Sequence, residues 1–222
     1  MKIADVLVPE LRDRWLAEDR ILHHPLVVTQ VFNCEDASRV NAQYLKKKQR
    51  LRDLEDNLGD GQEYVFMHER PNRFRALKRI VRDLSPTDYW RLVGAVWTDS
   101  ENIHEHFADW QRLWSAPKTN KHLCMTPKER ASLEGMSSSF PVWRGVGFRG
   151  RIKGLSWTLD REKAVWFARR FRHRGSGKLI HAQIERDNVH AFFQGRREAE
   201  VVASDVEVLK IENLKGDNLP MV

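Results

Sequence analysis

Cysteine is nearly absent: Cys34 and Cys124 are the only two in 222 residues. Two thiols this far apart cannot build the disulfide framework of a small secreted domain, nor a cysteine zinc site. Long apolar runs are missing as well. No stretch approaches the roughly 20 residues that a membrane-spanning helix needs. Asp5 and Glu10 interrupt the region where a signal peptide requires an unbroken apolar segment. No internal repeat or low-complexity linker breaks the chain. With 41% hydrophobic and 31% charged residues, the composition also excludes a disordered tail. The expectation is a cytoplasmic globular protein with no membrane contact and enough length to bury a real core.

What the sequence has in excess is positive charge in one place. The chain carries 38 Lys+Arg against 31 Asp+Glu, a net charge of +7. From Ser139 to Val222 there are 16 basic against 10 acidic residues, so nearly all of the surplus lies there. It peaks between Arg144 and Lys178, where 11 Lys/Arg face only Asp160 and Glu162. Such a run either solvates a surface or draws in a phosphate-bearing ligand, a dinucleotide or a nucleic acid.

The hydrophobic pattern divides the chain near residue 138. Before it, helical spacing predominates: Pro9 to Ile21, Ser38 to Leu58, Arg73 to Leu84, and Tyr89 to Trp97 behind the start signal Ser85-Pro86-Thr87-Asp88. Asp99-Ser100-Glu101 is expected to open a helix running through Trp110 and Trp114, and Thr126 with Glu129 makes a capping box. After it come short β-like runs at 141–144, 155–158, 178–185, 189–193, 198–203 and 206–211. One helix interrupts them, capped by Asp160, with Ala164, Phe167, Ala168 and Phe171 as its core stripe. The fold class expected is α+β, a helical part (1–138) packed on a strand-rich part (139–222), the two forming one compact unit.

Several motifs fail on context. Gly145-Val-Gly147-Phe-Arg-Gly150 has dinucleotide-fold spacing, but Arg151-Ile-Lys-Gly154 follows it and no βαβ unit can be drawn. His23-His24 and His104-Glu-His106 lack the i, i+4 histidine pair of a zinc helix, so no metal site is expected. Neither a P-loop nor a kinase or serine-hydrolase signature occurs.

Three short segments remain, in order: Trp143-Arg144-Gly145, Gly154-Leu155-Ser156-Trp157-Thr158 and Glu198-Ala199-Glu200-Val201-Val202. Together they supply an arginine, a hydroxyl on a strand and two carboxylates one residue apart. On a strand, i and i+2 share a face, so Glu198 and Glu200 are expected to enter one cleft and divide their roles. Taken singly, each segment also reads as ordinary surface: a turn arginine, plain strand hydroxyls, and glutamates facing solvent beside Arg196 and Arg197.

In this order and spacing, residues from about 140 to 211, about a third of the chain, resemble the catalytic core of mono-ADP-ribosyltransferases of the arginine–serine–glutamate class. That class includes cholera-type and clostridial binary toxins and small phage-encoded transferases. Trp157 departs from the pattern, where threonine is usual.

The resemblance implies a small split β-sheet core and NAD+ as co-substrate, with Arg144, Gly145, Ser156, Thr158 and Glu200 around it. Arg144 would hold a phosphate. Gly145 would let the backbone approach the nicotinamide amide. Ser156 would orient Glu200, and Thr158 would support the strand. Glu200 would stabilise the oxocarbenium-like transition state. Glu198 would act on the acceptor, with Phe192, Phe193, Gln194, Arg196 and Arg197 as the recognition loop.

Glu198 slightly favours a protein arginine as acceptor, because a carboxylate attracts and deprotonates a guanidinium. The basic segment favours a nucleic-acid base, on which Phe192 or Phe193 would stack. A non-catalytic NAD- or RNA-binding module and a free NAD+ glycohydrolase are the other readings. A cytoplasmic transferase would endanger its own cell, which suggests a phage takeover protein or a toxin held by an antitoxin or other inhibitor protein.

Overall fold

The computed structural model describes residues 2–56, 58–101, 103–170, 175–195 and 198–214. Among these, nine α-helices and nine strands make a mixed α+β fold in two compact units, Met1–Asn102 and Ile103–Val222. The change from helices to strands near residue 138 falls inside the second unit.

The first unit contains α1 (Ile3–Val6), α2 (Pro9–Arg12), β1 (Trp15–Leu16), β2 (Ile21–His24), β3 (Val27–Gln30), α3 (Cys34–Asp56), α4 (Gly61–Phe66), α5 (Arg73–Ile80) and α6 (Pro86–Asp99). The three strands form an antiparallel sheet, which corrects the helical reading of Pro9 to Ile21. The helix ends at Arg12, and Trp15 and Leu16 pair with Leu22 and Ile21 across a turn that Arg20 closes at φ +54°. Elsewhere local signals hold. The Ser85 hydroxyl accepts from the Asp88 N–H with Pro86 in the first turn, and Val40, Tyr44, Leu51 and Leu54 make the buried stripe of α3.

The second unit contains α7 (Phe107–Trp114), α8 (Pro127–Glu134), β4 (Ser139–Val146), β5 (Ser156–Thr158), α9 (Arg161–Arg169), β6 (Gly177–Glu185), β7 (Val189–Phe193), β8 (Glu200–Ala203) and β9 (Glu207–Leu214). No helix opens at Asp99-Ser100-Glu101, because Ser100 closes α6: its N–H donates to Trp97 O and its hydroxyl to Val96 O. The Thr126–Glu129 capping box and the Asp160 cap form as expected.

The six strands make one antiparallel sheet in the order β7-β8-β5-β4-β6-β9. β4 pairs with β6 from Ser139↔Glu185 to Val146↔Lys178, but meets β5 only at Trp143↔Thr158. The sheet therefore opens between β4 and β5. Phe140, Val142, Val146, Trp157, Ile180, Phe192 and Val201 form part of the core.

Helix α9 packs on the sheet through small residues. A Cβ on Gly145 would lie 1.7 Å from Ala164 O, and one on Gly177 would lie 2.0 Å from Ala168 O. Ala164 and Ala168 are buried as expected, Phe167 is half-buried, and Phe171 lies outside the described residues. Among the described residues, no helix is long and apolar enough to cross a membrane.

A polar cluster braces the far edge of this sheet. Lys121 Nζ lies 2.8 Å from both Trp114 O and His190 Nδ1. His190 Nε2 lies 2.6 Å from Ser204 Oγ, and the imidazole stacks on Trp114 at 6.2 Å between centroids. The lysine donates to Nδ1, so the ring is neutral and its Nε2–H donates to the Ser204 hydroxyl. Burial, reinforced by the Lys121 charge, pushes the His190 pKa down to about 4. Burial also lowers the Lys121 pKa and raises that of neighbouring Cys124 to about 12.

Gly177→Ala is expected to lower unfolding stability by about 3 kcal/mol, since α9 must lift off the sheet; an unchanged denaturant midpoint would contradict this docking. His190 predicts an acid-labile fold. The unfolded imidazole takes its proton near pH 6.5 and the folded one resists until about 4, so its contribution is complete above 6.5 and drains away between those limits. The slope is at most roughly 1.4 kcal/mol per pH unit. Comparing His190→Gln with the parent over that range by urea unfolding isolates the histidine from the carboxylates.

Candidate active site

The pocket sits where the sheet opens. Alternation along β4 places Arg144 in the row of Phe140, Val142 and Val146, which are core residues. At this point β5 has diverged, and the carbonyl of Ser156 has no strand partner on the β4 side. The Arg144 side chain fills the role: its Nη1 donates to Ser156 O at 2.6 Å. Gly154 makes this possible, since a Cβ there would stand 2.4 Å from the guanidinium carbon. Trp157, whose Nε1–H donates to Gly154 O at 2.9 Å, anchors that glycine from inside the core.

Burial pulls the Arg144 pKa down to about 10, and the nearby Glu200 charge works in the opposite direction. The group remains a cation at neutral pH. Its Nε is buried without a hydrogen-bond partner. Such an orphan donor costs about 1–3 kcal/mol.

The carboxylates approach from the other side. Ser156 Oγ donates to Glu200 Oε1 at 2.5 Å, fixing the glutamate at the first residue of β8. The Thr158 hydroxyl donates to the backbone carbonyl of Glu198 at 2.5 Å and accepts from the Asp160 N–H at 3.0 Å. One hydroxyl thus ties together β5, the cap of α9 and the segment before β8.

Glu198 and Glu200 share the pocket for a reason that differs from the expected one. β8 begins only at Glu200. Ala199 has φ +42°, a left-handed residue that turns the chain, so strand alternation does not relate the two glutamates. A hydrogen bond from Leu159 N–H to Ala199 O at 3.1 Å helps to hold the turn. Lys163 Nζ of α9 stands 4.0 Å from Glu198 Oε1.

Arg144, Gly145, Ser156, Thr158, Glu198 and Glu200 all line this pocket, with Trp143, Trp157 and Phe167. Phe192, Phe193 and Gln194 of the proposed recognition loop do not line it. Phe192 and Phe193 are 2% and 4% exposed. Phe192 lies in the sheet core, and Phe193 sits 6.4 Å from the Trp114 ring on the opposite side of the strand. Neither ring is open to a stacked base. Gln194 binds α8, its N–H donating to Glu129 Oε1 at 2.9 Å and its Nε2 to Ser132 Oγ at 3.2 Å. Arg196 and Arg197 lie outside the described residues.

Gly145 has a steric role beyond any ligand contact, because the α9 backbone occupies the space of its Cβ. Sequence reasoning gave no site role to Gly154, Trp143, Phe167 or Lys163. Gly154 opened the second of the three sequence segments, but its use as space for the Arg144 guanidinium is visible only in the fold. Among the described residues, no cluster of three or more His, Cys, Asp or Glu stands where it would hold a metal ion.

The left-handed turn is directly testable. Ala199→Val, a β-branched residue at positive φ, is expected to lower stability by about 2 kcal/mol, while Ala199→Gly stays within about 1 kcal/mol of the parent. Equal thermal shifts for the two variants would contradict the turn. No family model, no curated protein and no solved structure matches this chain.

Proposed function

We propose that the protein is an NAD+-dependent mono-ADP-ribosyltransferase acting on a macromolecular acceptor, with its active site in the opening of the six-stranded sheet and an ADP-ribosyltransferase-type core around it. The observation that carries this reading is the convergence of three sequence-distant groups. Ser156 holds Glu200, while Arg144 bridges the strand gap beside them.

The donor set fits the substrate. NAD+ presents a diphosphate and a ribosyl carbon that becomes electron-poor as nicotinamide departs. A guanidinium in the pocket wall suits an anionic ligand. A carboxylate fixed in advance by a hydroxyl suits the developing positive charge.

In the reaction, the bond between ribose C1′ and the nicotinamide nitrogen breaks, and its electron pair leaves with neutral nicotinamide. Glu200 stabilises the oxocarbenium character at C1′. The acceptor's lone pair then forms the new C1′ bond, and Glu198, at the pocket rim, takes the displaced proton. Trp143 and Phe167 keep bulk water from the cation until the acceptor arrives. Transfer to a protein arginine requires Glu198 to receive a guanidinium, and Lys163 already competes for that carboxylate.

Glu200→Gln keeps shape and most contacts but removes the charge. It is expected to lower nicotinamide release from NAD+ by roughly 10²- to 10³-fold, measured at a temperature where circular dichroism shows the variant still folded. Release undiminished in this variant, or no release by the parent protein with cell extract supplied as acceptor, would overturn the reading.

A further inference from the structure

We propose that the exposed indole of Trp166, with its flanking cations, is a docking platform for a single-stranded nucleic acid, which makes a nucleobase the acceptor; this rests on the transferase reading above. Trp166 is 52% exposed on α9. Lys163 Nζ lies 5.4 Å from its ring centroid and the Arg170 guanidinium 5.5 Å. The ring meets Phe167 edge-on at 5.0 Å, and Phe167 is a pocket wall. Lys163 also stands 4.0 Å from Glu198, which lines the same pocket. The platform is therefore continuous with the pocket mouth.

Its chemistry selects one kind of partner. A half-exposed indole costs solubility, and the buried seat of α9 is made by Ala164 and Ala168 instead. Cation contacts to an exposed ring are weaker than base stacking on the same ring. An arriving base thus displaces Lys163 or Arg170 from the indole, and the freed cation moves to the adjoining phosphate. Arg169, also exposed, lies on the same helix.

A duplex offers no free base face, so the strand must be single. An acidic peptide would satisfy the cations but leave the indole without a partner. The two phenylalanines first expected to stack are buried, and Trp166 takes over that role beside the catalytic carboxylates.

The test uses the full chain without NAD+, with a fluorescein-labelled 12-nucleotide single strand followed by anisotropy. Trp166→Ala is expected to weaken binding roughly 10-fold to 100-fold, and Trp166→Phe much less. Arg170→Gln should lower the slope of log affinity against log salt by about 0.7. Nicotinamide release without acceptor, and its KM for NAD+, should be unchanged in Trp166→Ala.

Equal binding by Trp166→Ala, or equal competition by a duplex or by polyglutamate, overturns the proposal. So does a rise in the NAD+ KM with strand affinity intact, which would assign the indole to the NAD+ adenine. Strand binding that depends on Trp166 in a protein releasing no nicotinamide would sustain the platform and refute the transferase reading instead.

Discussion

A buried arginine spanning a gap between two strands is the constraint on which the second unit depends. β4 and β5 share one residue pair, and beyond it the sheet would expose an unpaired carbonyl to its own core. Arg144 supplies the missing donor to Ser156 O. A buried cation needs compensation, and removing its partners costs about 3–5 kcal/mol. The neighbours follow from that demand. Gly154 leaves room for the guanidinium, Trp157 pins Gly154, and Glu200 supplies negative charge. The gap that permits a pocket is thus held open by the residue that also charges it.

On the same sheet a second set of small residues solves a different problem. Helix α9 lies so close that Gly145 and Gly177 have no space for a side chain. This closeness puts Phe167 and Lys163 at the pocket, one as an apolar wall and one facing Glu198. Glycine 145 appeared in the sequence as part of an aromatic-Arg-Gly motif, with the glycine assigned to a ligand. The helix above it is a sufficient reason for glycine at this position, since even a methyl group would meet the Ala164 carbonyl.

What could be read from the sequence was local. The caps at Ser85, Thr126 and Asp160 depend on residues within three positions, and each formed. Most strands after residue 138 lie within two residues of their expected ends, because β-branched and apolar runs between turn residues carry their own signal. Non-local effects were invisible. The hairpin strands near Trp15 are too short to show a period. Phe193 is buried beside Trp114, nearly 80 residues earlier, a contact that no local pattern shows. Arg144, Gly145, Ser156, Thr158, Glu198 and Glu200 line one pocket while Phe192, Phe193 and Gln194 do not, and the pairing of Glu198 with Glu200 depends on a left-handed alanine that no strand pattern could anticipate.

Charge is sorted by depth in this unit, and the sorting bears on the acceptor. Inside the pocket Arg144 stands with Glu198 and Glu200, so the interior carries groups of both signs. Outside, Arg149, Arg151, Lys153, Arg169 and Arg170 are exposed. At physiological salt their field reaches only about 8 Å from the surface. A field of that range acts on what lies along the protein rather than on what enters it. A polyanion laid across α9 would meet both regions at once, its phosphates on the cations and one base at the mouth beside Glu198.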